Sequence, residues 1–286
     1  MRWEDQRRSR NVEDRRGMRV PGGAAGGGIG TIVIVLLISW FTGVNPLTLF
    51  QLAGGLGGGA SAPVQEGQVG APTNDPQAEF AAVVLADTED TWSRVFQASG
   101  ERYQPPTLVL FNDAVQSACG TNSAAVGPFY CPADQKVYID LGFFRELDQK
   151  FGAPGDFAQA YVIAHEVGHH LQTLLGVSER VMQMRQRASE VDGNRLSVMQ
   201  ELQADCFAGV WGHHANRKSL LDAGDVEEGL RAAASIGDDV MQRRAQGRVS
   251  PESWTHGSSE QRVEWLRRGL TQGTLDACDT FGQGSR

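Results

Sequence analysis

The sequence predicts an α+β protein: a mainly helical domain with one small sheet, preceded by a single transmembrane helix. Three observations carry this reading. Apolar residues recur at helical spacing over most of the chain after residue 76. Two short apolar runs, 107–111 and 136–140, interrupt that spacing with strand-like patterns. A charge-free apolar stretch, 29–43, stands between two glycine clusters near the start.

Composition bounds what such a chain can be. Its 286 residues are 41% hydrophobic and 21% charged, close to ordinary globular usage, so a core can form and wholesale disorder is excluded. The net charge of -8 is uneven: residues 1–20 hold seven Arg against four acids, and 21–76 hold only Glu66 and Asp75. That leaves 19 bases and 28 acids for 77–286. An acidic body without a basic stripe argues against nucleic acid as a partner, because phosphate neutralisation supplies most of that affinity.

The elements follow in order. Residues 1–21 read as a basic cytoplasmic tail. The apolar run, extended back through glycine and alanine to residue 22, approaches the roughly 20 residues a spanning helix needs, so 22–44 is expected to be a transmembrane signal anchor. Ala60-Ser-Ala62 resembles a cleavage site but lies well beyond the apolar run, so the anchor is expected to stay uncleaved. The positive-inside rule then keeps the tail in the cytoplasm and exports the rest, giving a single-pass protein of the cell (inner or plasma) membrane. Residues 45–76 form a Gly/Pro-rich linker and 77–286 the folded domain.

Asp75-Pro76 opens a first helix through Phe80, Val84, Trp92 and Phe96. Thr107–Phe111 and Lys136–Asp140 are strands, the second either an edge strand facing a cleft or part of a core sheet. A long apolar helix starts at Asp156 and ends at Gly176; an exposed helix over 178–193 follows, then helices over 197–214, 225–246 and 258–269. Four cysteines, all in the exported part, imply two disulfides. Cys119–Cys131 would close a local loop, and Cys206–Cys278 would tie the C-terminal tail to a helix.

The chemistry concentrates at His165-Glu166-Val167-Gly168-His169. On a helix His165 and His169 lie one turn apart on one face, so both imidazoles can reach one metal. Glu166 is displaced about 100° round the helix, where a base for a metal-activated water belongs. A catalytic zinc takes three protein ligands, and no third His follows in the His-x-x-Gly-x-x-His pattern, since Leu171 through Gly176 contain none. His170, His213, His214, His256 and the acids remain. Glu201 can close the site from another helix, and Asp205, one turn on, can accept the free N–H of a ligating imidazole. His170 points away from the His165/His169 face, and His213 and His214 read as surface or packing residues.

His165-Glu-Val-Gly-His-His together with Glu201-Leu-Gln-Ala-Asp-Cys-Phe-Ala-Gly resembles the bacterial neutral zinc metallopeptidase family, over essentially the whole chain. Met1-Arg-Trp-Glu-Asp and Arg15-Arg-Gly resemble that family's N-terminus. The resemblance implies a zincin-like, gluzincin-class, membrane-anchored endopeptidase with one zinc ion per chain and a peptide or protein substrate. Thr255-His256-Gly257, with Arg262 six residues past the histidine, is similar to a segment of CAAX-type proteases, although Gly257 stands where they have proline. Carried over, His256 would stabilise the oxyanion and Arg262 would brace Asp205 or Glu201. Extended peptides commonly bind zincins by adding to an edge strand, for which 136–140 is the candidate. Two other classes compete: a zinc hydrolase of cell-wall peptide amides, and a non-catalytic protein that keeps zinc for stability.

Overall fold

A computed structural model of the chain describes residues 1–18, 68–70 and 74–282. The expected anchor over 22–44 and most of the linker lie outside them. Among the described residues no helix is long and apolar enough to cross a membrane.

In chain order the elements are strands β1 (Val12–Asp14) and β2 (Gln68–Val69), helix α1 (Pro76–Ala98), and strands β3 (Thr107–Phe111), β4 (Ala114–Ser117), β5 (Gly120–Ser123), β6 (Phe129–Cys131) and β7 (Lys136–Asp140). Helices α2 (Gly142–Gln149), α3 (Asp156–Leu174), α4 (Val177–Arg185), α5 (Glu190–Arg217), α6 (Asp225–Ser235), α7 (Asp238–Gln246) and α8 (Ser259–Gln272) follow among the described residues. Helix α1 starts where Asp75 accepts the N–H groups of Gln77 and Ala78, with Pro76 in the first turn, where its missing N–H has no partner to lose. Helix α8 starts with a reciprocal capping box between Ser258 and Gln261. The helix expected over 225–246 is two helices. They break at Gly237, which packs so closely on Ser259 that a side chain there would collide with its backbone nitrogen.

Five strands form one mixed sheet in the order β2-β1-β3-β7-β6, and β4-β5 form a separate hairpin. Strands β1, β3 and β7 run parallel, with Val12 opposite Leu108 and Leu108 opposite Val137. Alternation sorts their side chains: Leu108, Leu110, Val137 and Ile139 enter the main core with the helices. Val109, Phe111 and Tyr138 join a smaller cluster with Val115 and Cys131 under the hairpin. Strand β7 is therefore interior, paired on both sides, and cannot receive a peptide as an edge strand; the edge is β6. Both expected disulfides are present, Cys119–Cys131 holding the hairpin to β6 and Cys206–Cys278 holding the C-terminal segment to α5.

Residues 1–18 correct the expected domain boundary at 77, because they are part of the folded body. Strand β1 pairs β3, and Val12 is buried in the core. Ser9 donates to Glu89 across 2.5 Å, and the Trp3 ring meets Phe80 edge-on at 5.4 Å. The arginines that read as a hydrated cytoplasmic flank instead pair with carboxylates: Arg2 with Asp222, Arg7 with Glu89 and Asp90, Arg8 with Glu79, Arg16 with Asp14 and Asp75. The amino group of Met1 sits 2.8 Å from Asp156 and 3.2 Å from Asp225. An arginine count cannot distinguish a solvated flank from one committed to partners far along the chain.

Candidate metal centre

The site is built where α3 crosses α5, with α8 packed along α5. Helix α3 is apolar on nearly every side and is buried over most of its length. Gly168 sets the crossing distance: a Cβ there would lie 2.9 Å from the Ala204 carbonyl oxygen and 3.0 Å from its Cα. The glycine inside His165–His169 is thus required by packing, independently of any ligand. Helices α5 and α8 approach in the same way, since a Cβ on Gly209 would meet the Leu266 carbonyl and one on Gly269 the Cys206 carbonyl. These contacts let Glu201 and Asp205 on α5 and Arg262 on α8 reach the polar face of α3.

His165 and His169 both turn Nε2 towards Glu201, at 3.2 Å from Oε2 and 3.4 Å from Oε1. One donor atom from each of these three residues falls within 4.8 Å of the others, a set that could hold one metal ion. Two imidazoles and a carboxylate suit zinc and leave a fourth position for water or substrate. The remaining imidazole nitrogens are engaged, as oriented metal ligands require. His165 Nδ1–H donates to Asp205 Oδ1 at 2.8 Å, and His169 Nδ1–H donates to Gln172 Oε1 at 2.9 Å. Gln172 is in turn fixed by donating to the Gln200 carbonyl at 2.6 Å.

Asp205 is wholly buried and fully satisfied. Its Oδ1 accepts from Tyr161 Oη at 2.5 Å, His165 at 2.8 Å and Arg262 Nη2 at 2.9 Å, and its Oδ2 accepts Arg262 Nε at 2.8 Å. Arg262 also donates to Tyr161 Oη at 3.1 Å, which closes the ring of contacts. Of the two partners expected for Arg262, the structure brings it to Asp205. Burial alone would raise the Asp205 carboxyl, yet Arg262 and His165 hold it down at about 2. Burial likewise opposes charge on His165, but Asp205 and Glu201 outweigh it and push His165 up to about 10. Burial pushes the Glu166 carboxyl up, against the opposing pull of His169 and His165.

Those shifts fix a sign for metal uptake. His165 and His169 are raised in the protein before a metal binds, so zinc must displace their protons. Zinc affinity of chelator-stripped protein should therefore climb with pH until the His165 proton is lost at about 10, with protons released on binding. A titration calorimeter run in buffers of different ionisation enthalpy measures this directly, and a pH-independent affinity would contradict the ligand set.

His256 lies outside the cluster, half-exposed, with Nδ1 at 3.1 Å from Asp238 Oδ1. The hydrogen bond it donates to Asp238 raises it, against burial, favouring the imidazolium with an N–H on both nitrogens. Asp238 Oδ2 also accepts three successive backbone N–H groups, from Thr255 at 2.8 Å, His256 at 2.7 Å and Gly257 at 3.1 Å. Gly257 has φ +94°, a left-handed conformation closed to the proline of the CAAX-type segment, so the turn differs from that one. His170 is structural: its Nε2 donates to the Gln104 carbonyl at 2.6 Å and its Nδ1 meets Tyr130 Oη. His213 and His214 donate to the Leu270 and Gly273 carbonyls.

Three residues of this arrangement escaped the sequence reading. Tyr161 stands four residues before His165 and Gln172 three after His169, so helical spacing alone placed both on the ligand face. Asp238 gave no such signal, because its partners lie on a separate loop.

No solved structure matches the chain. It is 47% identical over 294 aligned positions to the uncharacterized protein YpfJ of Escherichia coli K12, covering 99% of each chain. It is 44% identical over 190 positions to the uncharacterized protein Rv2575 of Mycobacterium tuberculosis H37Rv, covering 63% of each. Residues 1–281 match the profile of the family described as "putative neutral zinc metallopeptidase", and the chain belongs to that family.

Proposed function

We propose that the protein is a membrane-attached, zinc-dependent endopeptidase. The observation that carries this is the convergence of His165 and His169 Nε2 on Glu201, with Glu166 buried beside the trio and absent from it. Zinc, when bound, supplies the Lewis acid that polarises a peptide carbonyl and makes water acidic enough to deprotonate near neutral pH. His165, His169 and Glu201 hold it, one ion per chain. Glu166 takes one proton from the attacking water as its oxygen bonds to the carbonyl carbon. It then delivers that proton to the departing amide nitrogen as the C–N bond breaks, leaving a carboxylic acid and an amine. His256, oriented by Asp238, donates to the oxyanion. An extended peptide pairs with the free edge of β6, whose Tyr130 reaches α3 through His170. The disulfides favour an oxidising compartment, which supports an extracytoplasmic catalytic body.

Purified full-length protein incubated with casein and, separately, with cell-wall material tests this reading. Cleavage of casein that stops with chelator and returns with zinc is the expected result; release from cell-wall material alone would move the substrate to cell-wall peptide amides. Zinc binding without turnover on either would leave a non-catalytic role. Asp205 acts through His165, so Asp205→Asn should weaken zinc binding or activity by roughly 10–100-fold and leave hydrolysis measurable. Complete loss with zinc fully bound would make Asp205 a direct participant.

A further inference from the structure

The N-terminal segment and the metal-bearing body are joined by one sheet, and this constrains the membrane arrangement. Strand β1 lies between β2 and β3, with Glu13 opposite Val69 on one side and Val109 on the other. Backbone bonds flank the ladder: Leu108 N–H to the Asn11 carbonyl at 2.8 Å, Arg15 N–H to the Leu110 carbonyl at 2.8 Å, and Gly70 N–H to the Val12 carbonyl at 2.7 Å. Ser9 N–H reaches the Ala82 carbonyl of α1 at 2.9 Å. The stretches on either side of residues 19–67 thus lie on two neighbouring antiparallel strands of the body.

A single crossing between these points would put residues 1–18 and 74–282 on opposite sides of about 30 Å of hydrocarbon. Strands in a ladder stand about 4.8 Å apart, so the two arrangements exclude each other. Separating the segment would expose Val12, strip the inner edge of β3, and leave Glu79, Glu89, Asp90 and Asp75 without their arginines. Those ion pairs also remove the physical basis for retaining the segment by its positive charge, since Arg2, Arg7, Arg8 and Arg16 are each paired within the body.

We propose that residues 1–18 and the metal-bearing body lie on the same side of the membrane, so that the chain does not cross once between them. This rests on the membrane attachment proposed above and opposes only its single-pass form. The test uses full-length chain in cell membranes, with a cysteine introduced at one exposed position at a time, Asp5→Cys in the segment or Arg267→Cys on α8. Spheroplasts are treated with a membrane-impermeant maleimide before or after permeabilisation. Both positions should react in intact spheroplasts, or both only after permeabilisation; the first pattern also agrees with an extracytoplasmic body, and the second would remove that location while keeping the shared side. Reaction of one position in intact spheroplasts and of the other only after permeabilisation would overturn the proposal. Recovery of the unmodified chain in the soluble fraction would remove the attachment itself and this proposal with it.

Discussion

Glu166→Gln should retain one zinc per chain and lose peptide hydrolysis by about 10²–10⁴-fold, the range general acid–base catalysis supplies. The amide keeps the size of the side chain and removes the site that accepts the water's proton. Zinc retention is expected because the imidazoles face Glu201, and the groups orienting them are Asp205 and Gln172, none of which involves Glu166. Glu201→Gln should do the reverse and weaken zinc directly. Metal analysis beside a casein assay on the two variants checks both halves. Equal zinc loss in both would place Glu166 among the ligands.

The largest effect on stability is expected at Arg262. Its guanidinium spans both oxygens of Asp205 and touches Tyr161, in a pocket where Asp205 has no exposed surface. Arg262→Ala leaves the Asp205 charge buried with fewer partners, and breaking a buried pair from one side costs about 3–5 kcal/mol. Adding Asp205→Ala removes the stranded charge, so the double variant should be less destabilised than the sum of the two singles. Denaturant unfolding of the four proteins measures this, and simple additivity would show that the pair is not coupled. Stability lost by protonating Asp205 follows the same logic. Its folded value of about 2 lies below the ordinary 3.8, so this contribution is present above pH 3.8 and disappears as pH falls towards 2.

The legible parts of this molecule were those written in local spacing. His165, Glu166 and His169 share one helix, and Glu201 and Asp205 lie one turn apart on another, so period alone put each set on a face. The same spacing would have yielded Tyr161 and Gln172 had the ligand face been followed a turn in each direction. The N-terminal segment was misread because its meaning is non-local: Arg7 and Arg8 find partners 71 to 83 residues away, and β1 is completed only by β3. Strand β6 is three residues long, too short for alternation to register, which left β7 as the apparent edge. The break at Gly237 depends on Ser259, which belongs to a different helix.

Crystals of the zinc-loaded protein, with anomalous diffraction collected on both sides of the zinc absorption edge, test the central claim most directly. The expected result is one anomalous peak per chain, bonded to Nε2 of His165 and His169 at about 2.0–2.1 Å and to a Glu201 oxygen at about 2.0–2.2 Å, with Glu166 unbound. A peak at Asp156, Asp225 and Glu228, the other acidic grouping among the described residues, with none at His165 and His169, would contradict it.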